Sequence, residues 1–200
     1  MTHDTALDLG DLEAALIALG DVLTQRGISY DVVLIGGANL LLRGIITRST
    51  KDADLLGELL DESRVMTLRE LPPPLKRAAE DVADAYGLAP NWFNSAPTSL
   101  VDDGLPAGFV DRLQRRTFGG LGIWLAGEFD MVCFKLYAAS DHWPRPGRHI
   151  DDLRALKPSE SDLFAAGRWC LGLDTSPGFR TMLVDVLGDL GLEDADDRLG

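Results

Sequence analysis

Residues 32–56 read VVLIGGANLLLRGIITRSTKDADLL, and the organisation of the chain follows from this stretch. The apolar, β-branched run from Ile28 to Ile35 predicts a buried strand. Gly36-Gly37 interrupts it, Ala38 to Arg43 reads as a short helix closed by Gly44, and a polar loop from Thr47 to Thr50 leads into a second strand carrying Asp52 and Asp54. Side chains alternate along a strand, so Asp52 and Asp54 are expected on one face, with Ala53 and Leu55 pointing into the core. Two carboxylates held side by side repel each other and lose solvation, which favours a positive charge between them. Oxygen donors in a stretch without Cys or His suit a hard divalent cation, Mg²⁺ or Mn²⁺, better than Zn²⁺. The glycines let the backbone come close to a ligand, and their N–H groups at the head of the short helix can face a phosphate. The loop before Asp52 has two readings: an ordinary turn, or a set of donors for triphosphate oxygens in which Arg48 and Thr50 are the candidates.

Two hundred residues, 46% of them hydrophobic, suffice for one substantial core and a small helical appendage. Mean hydropathy of +0.01, with no long uncharged apolar run, argues for a soluble chain without a membrane span. The acidic, amphipathic start MTHDTALDLGDLEAAL lacks the basic opening of a signal peptide, so a cytoplasmic location is expected. Cys133 and Cys170 have no C-x-x-C spacing and read as reduced, buried thiols. A net charge of −13 weighs against a general nucleic-acid binder, whose affinity comes from Lys and Arg. Basic residues nevertheless cluster at 112–116 and 145–149, leaving room for a local basic face that meets RNA.

Outside the central stretch, helical spacing predicts a helix from Leu7 to Leu23, another from Leu75 to Tyr86 after Pro72-Pro73-Pro74, and a short one from Ala107 to Gln114. Leu59 to Leu71 reads as polar connection, Asn91 to Asn94 as a short strand, and Arg115 to Leu125 as one glycine-interrupted strand. Glu128 to Ser140 is a mostly apolar helix with Lys135 in its middle, where an amine must either snorkel to water or find an anion. RHIDDLRAL forms the next helix, followed by Leu163 to Leu171 and Gly178 to Leu190, with a frayed tail expected from Leu192.

The order Gly-Gly, helix, Asp-x-Asp resembles the nucleotidyltransferase signature of the DNA polymerase β superfamily. The wording RG-x(3)-RST-x-DADLL is similar to the AbiEii-type toxin branch, found in type IV toxin–antitoxin and abortive-infection systems. A second patch, Lys135 with RHIDDL, is similar to the second motif of that branch. The resemblance implies an α/β (α+β) nucleotidyltransferase fold, with a short mixed sheet flanked by helices, a catalytic core over 1–141 and a helical C-terminal lobe over 142–200. It implies that Asp52 and Asp54 hold Mg²⁺ or Mn²⁺, that Gly36, Gly37, Arg48, Thr50 and Lys135 bind an NTP, and that Asp152 rather than Asp151 completes the site. The implied reaction transfers NMP to an acceptor hydroxyl, foremost a tRNA 3′ end, with a cognate antitoxin as partner. Much of the superfamily has a third carboxylate on a later strand, and the nearest positions here, Asn94 and Ser95, are not acidic. Two alternatives stay open: transfer to a small molecule or a protein, and a degenerate domain that binds nucleotide without turnover.

Overall fold

In the computed structural model, which describes residues 6–60, 63–95 and 99–200, the chain has a mixed α/β fold and divides into two compact units, residues 1–126 and 127–200. The first begins with helix α1 (Leu9–Gln25), whose start is fixed by a capping box in which the Asp8 carboxylate accepts the Asp11 N–H and the Asp11 carboxylate accepts that of Asp8. Its Leu12, Leu16, Leu19 and Leu23 share one buried face. Then come β1 (Tyr30–Ile35), α2 (Gly36–Leu42), β2 (Ala53–Leu60), β3 (Arg64–Thr67), α3 (Pro73–Tyr86), β4 (Phe93–Asn94), α4 (Ser99–Asp103), β5 (Gln114–Phe118) and β6 (Leu121–Leu125). The sheet runs β3-β2-β1-β6-β5, with β4 also paired to β2. Pairs β1/β6 and β2/β4 are parallel and the remaining pairs antiparallel, which is the mixed sheet the resemblance implies.

Four expectations are corrected. Arg115 to Leu125 is a hairpin rather than one strand, because Gly119-Gly120 forms the two-residue turn between β5 and β6, with Phe118 paired to Leu121 and Gly119 at φ +53°. Residues 59–71 contain β3, an edge strand in which only Val65 is buried, so its composition reads as polar connection. The helix expected over 107–114 shrinks to a single 3₁₀ turn, Val110–Arg112, followed by strand. The strand carrying the paired acids starts at Ala53, one residue after Asp52, and a bulge between Val33 and Leu34 of β1 places Leu34 opposite Leu55 and Val33 opposite Gly57. Simple alternation therefore fails there, and Leu55, Leu56 and Gly57 are all buried.

The second unit is helical: α5 (Glu128–Asp141), α6 (Arg148–Leu156), α7 (Glu160–Leu173), α8 (Pro177–Asp189) and α9 (Ala195–Leu199). Helix α5, read from the sequence as the end of a catalytic core, is the element against which α6, α7 and α8 pack. Ser159 and Ser176 cap α7 and α8. The tail expected to fray from Leu192 instead forms α9, which buries Ala195 and Leu199, while Arg180 binds the Asp196 carboxylate at 2.9 Å and the Gly200 carbonyl at 3.0 Å. Both cysteines are free thiols and buried. Burial, and next the neighbouring Cys133, push the Cys170 thiol well above its ordinary range. Among the described residues no helix is long and apolar enough to cross a membrane.

Candidate active site

Ile35, the last residue of β1, pairs with Asp54 of β2, so the turn that follows Ile35 lies beside that carboxylate. Gly36 adopts φ +74°, a conformation costly for any residue with a Cβ. A Cβ there would also stand 2.6 Å from Asp54 Oδ2. At Gly37 a Cβ would stand 2.8 Å from Thr50 Oγ1 and 3.8 Å from Arg48 Nη1. The bare backbone of the turn is thus what admits three polar side chains, and the structure brings Gly36, Gly37, Arg48, Thr50 and Asp54 together. Thr50 is buried and its hydroxyl donates to the Asp52 carbonyl at 3.1 Å, so its single proton is engaged within the loop. The Thr50 N–H donates to the Leu7 carbonyl at 2.9 Å, and the Leu7 N–H to the Thr50 carbonyl at 2.7 Å, which ties the loop to the chain ahead of α1. Arg48 and Asp52 are half-buried.

Strand β4 has only two residues and is held by its neighbour Trp92, which is fully buried and donates its indole N–H to the Ala79 carbonyl of α3 at 3.0 Å. That anchor puts Asn94 opposite Asp54, and the Asn94 amide donates to Asp54 Oδ1 at 3.2 Å and to the Asn91 carbonyl at 3.4 Å. The position read from the sequence as that of a possible third acid is therefore beside Asp54, and a neutral donor occupies it. Sequence reasoning missed Asn39, a polar residue in the apolar helix GGANLLL. It is fully buried, and its amide donates to the Leu34 carbonyl at 2.8 Å and the Ala126 carbonyl at 3.3 Å. Arg43 Nε reaches the same Ala126 carbonyl at 2.9 Å, so α2 grips the ends of β1 and β6 with two side chains.

In the second unit, Lys135 of α5 and Asp152 of α6 form an ion pair, Nζ to Oδ2 2.7 Å, with side chains 10% and 1% exposed. The anion demanded by an amine in an apolar helix is thus Asp152. Asp151 is exposed and lies 3.9 Å from Arg154. His149 stands one turn before Asp152, with its ring 5.6 Å from that of His142.

The two acids of the first unit offer oxygen donors only, and among the described residues no group of three or more His, Cys, Asp or Glu is arranged around a metal. Such a donor set fits a cation that keeps several waters and completes its shell with phosphate oxygens, the behaviour of Mg²⁺. Further along β2, Glu58 is raised above the usual carboxylate range, first by burial and then by the charge of Asp31.

A family model described as "Nucleotidyltransferase of unknown function (DUF6036)" matches residues 14–145, about two thirds of the chain. The mixed α/β fold is consistent with that of a nucleotidyltransferase, and the chain belongs to this family. The match takes in Gly36, Asp52, Asp54 and Lys135 and stops short of Asp152. No curated protein and no solved structure matches the chain.

Proposed function

We propose that the protein is a metal-dependent nucleotidyltransferase that transfers NMP from an NTP to an acceptor hydroxyl. The observation that carries this reading is the Asp54 carboxylate lying 2.6 Å from where a Cβ of Gly36 would be, with Arg48 beside Gly37. The turn is a cradle that a methyl group would fill. Asp52 and Asp54 would hold Mg²⁺ or Mn²⁺, which when bound supplies positive charge to the triphosphate. Gly36 and Gly37 let the phosphates approach the backbone, and Arg48 gives planar donors to their oxygens. Thr50, whose proton is engaged with Asp52, buttresses the turn. Lys135 is the proposed neutralising amine. Asp152 is the proposed further ligand or proton acceptor. The acceptor oxygen bonds to the α-phosphorus, the bond to the β-phosphate oxygen breaks, pyrophosphate leaves with the electron pair, and the hydroxyl proton passes to a carboxylate.

The RST-x-DADLL wording and the Lys135 patch support assignment to the AbiEii-type toxin branch, and with it a tRNA 3′ end as acceptor, a cognate antitoxin as partner and action in the cytoplasm. Incubation of the purified protein with labelled NTPs, Mg²⁺ and total tRNA is expected to label tRNA, and Asp54→Ala to abolish the labelling. No transfer by folded wild-type protein to tRNA, a small hydroxylated molecule or a protein overturns the enzymatic reading. The neutral Asn94 beside Asp54 favours, as a second reading, a domain that binds nucleotide without turnover. Tight metal-dependent binding of a non-hydrolysable NTP, with no product from any acceptor, selects it.

A further inference from the structure

Asp54 is held from two sides. Its Oδ1 accepts the Asn94 amide at 3.2 Å, and its Oδ2 rests against the turn, 2.6 Å from where a Cβ on Gly36 would be. The orientation of the Asn94 amide follows from chemistry. Its nitrogen faces a carboxylate oxygen and the Asn91 carbonyl, both acceptors, so the NH₂ group must be on that side. Asn94 itself is fixed through buried Trp92 and the Ala79 carbonyl, so the tether reaches a rigid helix. A carboxylate fixed this way is oriented by a neutral group. The same group adds no charge of its own to that of Asp54 against the turn and of Asp52 two residues earlier in the chain.

We propose that Asn94 is a positioning residue that makes the site dependent on nucleotide for its metal. Its amide fixes Asp54, and its neutrality keeps the acid pair too weakly charged to retain a divalent cation until phosphates complete the shell. The inference rests on the reading of Asp52 and Asp54 as metal ligands. It extends that reading to the order of binding: metal and triphosphate arrive together, and the empty protein holds neither firmly. A hard cation that keeps its waters and binds through one or two carboxylates plus substrate phosphates behaves this way.

The test uses Mn²⁺ alone, followed by its paramagnetic resonance signal, and Mn²⁺ with a non-hydrolysable ATP analogue, on the full chain. Wild type is expected to take up Mn²⁺ weakly alone and at least tenfold more tightly with the analogue. Asn94→Asp, which puts a carboxylate where the amide now faces Asp54, is expected to raise affinity for Mn²⁺ alone at least tenfold and shrink the effect of the analogue. Asn94→Ala removes the tether without adding charge, and is expected to weaken binding of Mn²⁺ with the analogue several-fold while leaving binding of Mn²⁺ alone as in wild type. Tight uptake of Mn²⁺ by nucleotide-free wild type overturns the proposal. So does a folded Asn94→Asp variant with unchanged Mn²⁺ affinity. Should Asn94→Asp not fold, an Asn94→Ala variant that binds Mn²⁺ with the analogue as wild type does overturns it equally. Failure of the underlying reading has its own signature: Asp54→Ala leaves Mn²⁺ uptake with the analogue intact, whatever stands at position 94.

Discussion

Glu58 and Asp54 lie on the same strand and have different neighbours. Asp54 is held by a neutral donor, whereas Glu58 has its ionised form disfavoured by burial and by Asp31. A carboxyl raised above its unfolded value binds its proton more firmly when folded, so stability falls as pH rises from the unfolded pKa through the folded one, and the full penalty holds above both. Glu58→Gln removes that penalty. Its melting temperature is expected to exceed that of wild type at pH 7–8, and the gap to close as pH drops through the ordinary carboxylate range, in thermal melts across that span. Which acids matter was partly legible at this scale. The Gly-Gly and Asp-x-Asp spacing pointed to Asp52 and Asp54 as a pair, and the structure shows Asp54 against the turn. The bond from Asn94 was not legible, because it depends on Trp92 docking a two-residue strand whose Asn94 is 40 positions from Asp54.

Among the elements, α5 shows how a single lysine in an apolar helix constrains its neighbour. Lys135 and Asp152 are both buried, and taking either charge alone into that position is costly. Lys135→Met and Asp152→Asn are each expected to destabilise the chain by about 3–5 kcal/mol. The double variant Lys135→Met with Asp152→Leu is expected to recover most of that loss, since it leaves no orphaned charge; urea denaturation of the three variants measures it. If the pair also serves catalysis, the double variant is stable and inactive, which separates fold from chemistry. The apolar neighbours of Lys135 marked it as an amine in need of an anion, and the preference for Asp152 over Asp151 came from the resemblance, in whose order Leu153 and Leu156 follow the aspartate. It did not reveal the hairpin of β5 and β6 or the edge strand β3. A glycine pair in the first looks like a weak spot in one strand, and in the second the pairing partner rather than the composition decides the conformation.

For the molecule as a whole, thirteen net negative charges favour expansion, and the exposed ion pairs such as Arg154 with Asp189 offset little of this. Salt screens such repulsion, so the melting temperature is expected to rise by several degrees between about 10 mM and 150 mM NaCl, where the Debye length falls from about 30 Å to about 8 Å; a flat or falling profile would mean that attractive pairs dominate. The mixed α/β class was expected from the resemblance of the Gly-Gly, helix, Asp-x-Asp order, while β-branched runs and helical periodicities along residues 28–125 gave individual strands and helices. The packing of α9 did not, because its short apolar positions, Ala195 and Leu199, gain meaning only against α7 and α8. The paired Leu7 and Thr50 backbones have a practical corollary. Whatever is fused in front of helix α1 hangs from the same loop that carries Arg48 and leads into Asp52. A purification tag joined there without slack would tug on the nucleotide cradle, and activity compared before and after its cleavage would expose the pull.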